Sequence, residues 1–292
     1  MKQQYIERKF AAASLALITT IDDICHDYAR QGFVLTVRQL YYQLVARNII
    51  PNNERSYKNT TSLVNDARLA GLVDWDAIED RTRAFISRPR WGDGRDFMQK
   101  VAPQYHCDLW EGQETRVFCI VEKEALVGVL QRVCREKDVP LLAARGYPSV
   151  SVLREFARGD ILPKSRGQNI EILHLGDHDP SGIDMSRDLI DRLELLCGGK
   201  RFRLTRIALN MDQIEENDCP PNPAKLSDSR STGYIERFGD ESWELDALEP
   251  AYLVNLVRAH IEEHIDPDTW VQREDEIDDT REKLVALADT FE

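Results

Sequence analysis

Ile172-Leu173-His174-Leu175-Gly176-Asp177-His178-Asp179-Pro180-Ser181-Gly182 decides how the rest of the chain is read. An apolar, β-prone run ends at a glycine. Two aspartates follow with one residue between them, and Pro180 and Gly182 turn the chain. As a strand, the run sets Asp177 and Asp179 at its carboxyl end, where open α/β sheets form their ligand crevices. Two carboxylates held that close repel unless a cation lies between them. Hard oxygen donors at a strand tip suit Mg²⁺ or Mn²⁺. An Asx-type turn with solvated acids accounts for the same letters, and His178 then reads as a polar turn residue.

A second apolar run shifts the balance towards a site. Val117-Phe118-Cys119-Ile120-Val121 is continuous, as in a strand buried on both faces. It ends in Glu122-Lys123-Glu124-Ala125, and helical spacing follows in Leu126, Val129, Leu130 and Val133. One acid tips this strand and two tip the later one, a constellation of three carboxylates along one sheet edge. The full alternation predicts strands at 117–121, 139–143, 170–175 and 203–209, with helices at 125–137, 150–158 and 184–196 between them. Such an order predicts an α/β fold with a parallel sheet. No G-x-G-x-x-G, G-x-x-x-x-G-K-[ST], G-x-S-x-G or H-E-x-x-H occurs, so the strand-tip acids are the chief chemical signal.

The chain has 292 residues and 42% hydrophobic residues, enough for ordinary globular cores. No apolar run approaches the ~18 residues of a membrane span, and the charged start does not read as a secretory signal. The six cysteines lack any C-x-x-C pair and read as reduced thiols of a cytoplasmic protein. Net charge is −13, but unevenly spread. Residues 1–110 carry 15 basic and 13 acidic side chains, residues 111–216 carry 16 and 18, and residues 217–292 carry 7 and 20. The acidity therefore belongs to the C-terminal segment and leaves nucleic-acid binding open elsewhere.

Residues 5–31 show helical spacing and end at Gly32. Thr36-Val37-Arg38-Gln39 forms a capping box for a second helix. A polar third helix runs from about Ser56 to Leu69, and a basic segment with Arg81 and Arg83 follows. This order predicts a winged helix-turn-helix over residues 1–110, with Lys58, Thr61 and Arg68 towards phosphates and Arg81 and Arg83 in the wing. A solvated helix face is the plain alternative. Arg88–Gly94 reads as a linker or loop. The expected organisation is a winged-helix-like DNA-binding domain at 1–110, a sheet domain at 111–216 and an acidic helical extension at 217–292 packed on the sheet. Within the extension, helices are expected at about 250–264 and 270–287. Lys225 and Arg230 sit in a loop that either reaches the acidic edge or stays at the surface.

The pattern of Glu122 after one strand and Asp-x-Asp after a later one resembles the Toprim domain of topoisomerases, primases and related nucleases. Val121-Glu122-Lys123-Glu124-Ala125 and Gly176-Asp177-His178-Asp179-Pro180-Ser181-Gly182-Ile183-Asp184 are similar to the A subunit of type IIB DNA topoisomerases and the related meiotic double-strand-break proteins. Arg38-Gln39-Leu40-Tyr41-Tyr42 resembles their Arg-acid-aliphatic-Tyr-Tyr motif, with Gln39 in place of the acid. Trp243-Glu244-Leu245-Asp246-Ala247-Leu248 is similar to a segment near the end of that family. The resemblance covers about residues 30–250. It implies a Toprim-like sheet behind a winged-helix DNA-cleavage domain, a divalent ion held by Glu122, Asp177 and Asp179, and DNA as target. It also implies Tyr42 as nucleophile with Tyr41 as its packing neighbour, Arg38 stabilising charge on the reacting phosphate, a homodimer, and a separate ATPase subunit for strand passage. Toprim sites elsewhere use water as the attacking group, and that choice stays open. So does the alternative of a non-catalytic DNA-binding or scaffold protein with a Toprim fold.

Overall fold

The computed structural model describes residues 2–78, 88–224, 228 and 230–290. The fold is mixed α/β, built on a four-stranded, all-parallel sheet and ending in a long C-terminal helix. Arg81, Arg83 and Lys225 lie outside the described residues.

The N-terminal part consists of α1 (Ala12–Arg30), α2 (Val37–Ala46) and α3 (Glu54–Leu69) around a core that includes Ile21, Ile24, Leu40, Leu44 and Val64. Thr36 and Gln39 close the expected capping box: Gln39 N donates to Thr36 Oγ1 at 3.3 Å and Thr36 N donates to Gln39 Oε1 at 2.9 Å. The helix expected from Tyr5 starts only at Ala12. Residues before it run extended, with Tyr5 N and Ile6 N donating to Leu69 O and Gln4 paired to Ala70. Gly71 makes room: a Cβ there would stand 2.9 Å from Gln4 N. Pairing with the end of α3 outcompetes continued helix.

α4 (Gly94–Val101) packs against the C-terminal helix α12 (Pro267–Ala288), and Trp110 stacks edge-on with Trp270 at 5.6 Å.

The sheet order is β2–β1–β3–β4, from β1 (Thr115–Val121), β2 (Leu141–Ala143), β3 (Asn169–Leu175) and β4 (Arg203–Ala208). Between them run α5 (Val127–Glu136), α6 (Val150–Phe156), the short α7 (Leu162–Lys164) and α8 (Pro180–Cys197). Alternation along the strands sorts side chains onto two faces. Val117, Cys119, Val121, Leu173 and Leu175 pack with α5 and the C-terminal extension, while Phe118, Ile120, Ile170 and Ile172 pack with α6 and α8. Both faces are covered, which explains the unbroken apolar runs.

The extension holds α9 (Met211–Glu216), β5 (Asn222–Pro223), α10 (Ser231–Phe238), β6 (Glu241–Ser242), α11 (Pro250–Glu262) and α12. Leu253, Val257 and Ile261 of α11 pack towards α5 and the sheet core. All six cysteines are free, and all but Cys107 are buried. No helix is long and apolar enough to cross a membrane among the described residues.

Candidate active site at the carboxyl edge of the sheet

β1 and β3 are neighbours in register, Val121 opposite Leu175, so their following residues meet. Glu122 N donates to Leu175 O at 2.8 Å, and the Glu122 carboxylate accepts from Asp177 N at 2.9 Å. Two glycines of the motif keep the space beside that carboxylate. A Cβ on Gly176 would lie 3.0 Å from Glu122 Oε2, and one on Gly182 would lie 3.1 Å from it and 2.2 Å from Asp177 O. The start of α8 can therefore close onto the turn only with glycine at 182.

The three acids are held differently. Asp177 is buried, and its Oδ1 accepts from Leu245 N at 2.8 Å and pairs with Lys123 Nζ at 3.0 Å. Asp179 is the N-cap of α8, with Oδ1 accepting from Gly182 N at 2.7 Å and Ser181 Oγ at 3.0 Å. Glu122 stands between them. Burial and the nearby Asp177 raise the Glu122 carboxyl well above the usual carboxylate range. Burial also raises Asp177, against the pull of Lys123.

Two cations that the sequence reading left unassigned belong to this site. Arg206, on β4, lies beneath the turn and donates to Asp177 O at 2.7 Å, Gly176 O at 2.8 Å and Gly182 O at 3.0 Å. Burial brings its pKa down to about 10, against the opposing pull of Glu122, Asp177 and Asp179. Lys123 contacts Asp177, Glu244 Oε2 at 2.6 Å and Asp246 Oδ2 at 3.6 Å. Burial opposes its charge, but Asp246, Asp177 and Glu244 outweigh it and hold the ammonium firmly protonated.

The same two acids reach α2. Arg38 pairs with Glu244 and, through Nε at 3.1 Å, with Asp246. The Asp246 side chain is wholly inaccessible and neither oxygen has a hydrogen bond. Glu244, although burial works the other way, is held down to about 2 by Lys123 and Arg38. Arg38, Glu244, Asp246, Lys123 and Asp177 thus form one line of ion pairs from the second helix to the strand tips. The Trp243–Leu248 stretch, noticed in sequence without a role, supplies its middle.

Tyr42 is 4% exposed and lines a cleft of about 410 Å³ together with Arg38, Tyr41, Asn52, Asn222 and Glu244. Burial, then Glu244, raises its phenol above the ordinary tyrosine value. Tyr41 is fixed as a packing group: its hydroxyl donates to Asn52 Oδ1 at 3.0 Å and accepts from Asn53 N at 2.9 Å. The buried Gln39 closes the capping box, the local use of a non-acid at that place. Lys58 pairs with Glu54 along α3 at 2.7 Å. Arg68 is drawn into the fold, donating to Trp75 O at 2.9 Å and to Ile78 O and covering the Trp75 ring. Arg230 pairs with Asp184 at 3.0 Å and covers Tyr147.

His178 is more than a polar turn residue. It is 2% exposed, edge-on to Tyr234, Phe238 and Trp243, and its backbone exchanges hydrogen bonds with Trp243. It pins the extension to the Asp177–Asp179 turn, which brings Leu245 N to Asp177.

Among the described residues, no three His, Cys, Asp or Glu side chains are gathered so as to hold a metal ion as they stand. The donor chemistry nevertheless fits a hard cation. The donors are all carboxylate oxygens, the two glycines leave Glu122 uncrowded, and burial with mutual repulsion leaves Glu122 and Asp177 short of positive charge. The largest cleft, about 540 Å³, opens at the other end of the strands beside Thr115, Asn169 and Arg203, away from these acids. Compared with models of known protein families and with curated proteins, the chain matches none.

Proposed function

We propose that the chain is a metal-dependent DNA-cleaving enzyme with a Toprim-like sheet, in which Glu122, Asp177 and Asp179 hold Mg²⁺ or Mn²⁺ and the N-terminal helices form a winged-helix DNA-binding domain. The observation that carries this reading is the union of Glu122 and Asp177 across adjacent strand ends, at 2.9 Å from carboxylate to backbone. Acids of such a site have raised proton affinity, a mark of functional positions. A bound divalent ion supplies charge neutralisation at the scissile phosphate and the leaving oxygen.

The chain's own residues account for the rest. Tyr42 faces a cleft and has Arg38 beside it. In the transesterase form, the Tyr42 oxygen attacks phosphorus, the bond to the deoxyribose oxygen breaks, and that oxygen takes up a proton. Arg38 then lies near the charge developing on the phosphate. In the hydrolytic form, water replaces Tyr42 as attacker and the strand-tip acids are unchanged. DNA is the partner, a homodimer would cut both strands, and strand passage would need a separate ATPase subunit. The free, buried thiols agree with a reducing, cytoplasmic setting.

Nicking of supercoiled plasmid with Mg²⁺ or Mn²⁺ tests the proposal. Wild type is expected to nick, and Asp177→Asn with Asp179→Asn to abolish it. A phosphotyrosyl adduct lost in Tyr42→Phe identifies the transesterase form, and full nicking by Tyr42→Phe identifies water. Nicking that survives the paired aspartate change overturns the assignment. A second reading, a non-catalytic DNA-binding or scaffold protein, is favoured by one feature: Lys123 already pairs with Asp177. Plasmid binding without nicking under every divalent ion supports it.

A further inference from the structure

This inference rests on the metal reading above and decides its stoichiometry. Two-ion sites place their ions about 3.5–4 Å apart and stabilise attacking and leaving oxygens together. A carboxylate that bridges such a pair must offer both oxygens. Here each aspartate has one already used. Asp177 Oδ1 takes Leu245 N and the Lys123 ammonium, and Asp179 Oδ1 takes Gly182 N and Ser181 Oγ. The side chains thus keep Asp177 Oδ2, Asp179 Oδ2 and the Glu122 carboxylate for a ligand, the donor complement of a single ion.

The position where a second ion would bridge Asp177 to the neighbouring acids is filled by the chain itself. Lys123 Nζ lies 3.0 Å from Asp177, 2.6 Å from Glu244 and 3.6 Å from Asp246. Asp246, wholly buried and without a hydrogen bond, faces this ammonium and Arg38. Formal charge agrees. Glu122, Asp177, Asp179, Glu244 and Asp246 meet Lys123, Arg38 and Arg206, which leaves a surplus of two negative charges. One divalent ion cancels it and two would reverse it.

We infer that Lys123 is a built-in second cation, so that the site takes one divalent ion per chain and Lys123 positions Asp177 for it. Mn²⁺ titration of the full chain, read by calorimetry and by electron paramagnetic resonance, tests this without any turnover. Wild type is expected to bind one uncoupled Mn²⁺ per chain. Lys123→Gln frees Asp177 Oδ1 and is expected to bind a second Mn²⁺, spin-coupled to the first, while Lys123→Arg stays at one. Two coupled ions in wild type, or an unchanged single ion in a folded Lys123→Gln, overturn the inference and leave the metal reading standing. Equal Mn²⁺ binding by the Asp177→Asn, Asp179→Asn protein overturns the metal reading itself. Should Lys123→Gln fail to fold, the wild-type count still decides.

Discussion

His178 and Tyr234 join the strand-tip turn to the C-terminal extension: the tyrosine hydroxyl lies 2.8 Å from His178 Nδ1 and donates to the His178 carbonyl at 2.8 Å. Burial holds the imidazole down to about 4, so it is neutral at ordinary pH. His178→Ala removes a ring packed among three aromatics and is expected to cost about 3 kcal/mol, in the range of buried aromatic truncations. Tyr234→Phe removes the hydrogen bonds alone and is expected to cost about 1 kcal/mol. Urea unfolding of both variants checks the ranking; equal losses would mean the ring contacts contribute little.

Gly182 and Gly159 make opposite cases. An added methyl at 182 meets Asp177 O at 2.2 Å, whereas nothing lies within 4 Å of one at 159. Gly182→Ala is expected to destabilise by about 1–3 kcal/mol through overpacking. Gly159→Ala is expected to stabilise by roughly 0.5 kcal/mol, through lower entropy of the unfolded chain. Thermal melts of the two proteins give the signs directly.

Glu122 makes stability depend on pH. Its folded pKa is raised by burial and by Asp177, so the folded state binds the proton more tightly than the unfolded chain. An acid shifted upward costs stability as pH climbs above its ordinary value, and the cost is complete once the folded group is ionised. Glu122→Gln keeps an acceptor for Asp177 N and removes that cost. Its stability relative to wild type is expected to grow between pH 4.5 and neutrality, by on the order of 2 kcal/mol. Denaturation at several pH values measures the gap, and a pH-independent gap would refute the assignment. The buried His174, whose pKa falls to about 3 through burial and then Arg206, changes stability the other way and cancels in the difference.

Arg38 and Tyr42 are expected to separate stability from chemistry. Arg38→Ala leaves buried Asp246 with Lys123 as its remaining cation, and loss of one partner from a buried ion pair costs about 3–5 kcal/mol. Part of that is offset because the Arg38 side chain is 42% exposed. Tyr42→Phe is expected to change stability by less than about 1 kcal/mol while removing any covalent DNA adduct. Guanidinium unfolding beside an adduct assay distinguishes the two.

The sequence made local structure legible wherever one physical signal dominated. Continuous apolar runs gave β1 and β3, Thr36 and Gln39 gave the start of α2, and β–α alternation gave the parallel sheet. Long-range pairing was not legible. Residues 5–11 have helical apolar spacing, yet they pair with the end of α3 because that contact offers backbone partners and burial together. Glu122 and Asp177 were both visible as strand-tip acids, but their union depends on the β1–β3 register. Arg206, Glu244 and Asp246 lacked a readable signal, since a charge on a strand or in a loop looks solvated until the fold supplies its neighbours. Arg68 shows the reverse: a helix arginine expected at phosphate serves two backbone carbonyls.

The Trp243–Leu248 stretch also sets an order of assembly. Asp177 and the turn around it leave the ribosome well before Leu245, whose amide Asp177 accepts, and before Glu244 and Asp246, which hold Lys123. Domains generally form from the amino end during synthesis, so the sheet can close while its acidic edge still lacks these partners. The chemistry of the edge is therefore completed last. A nascent or truncated chain that ends before residue 243 would hold three crowded acids, with Lys123 no longer anchored by Glu244 and Asp246.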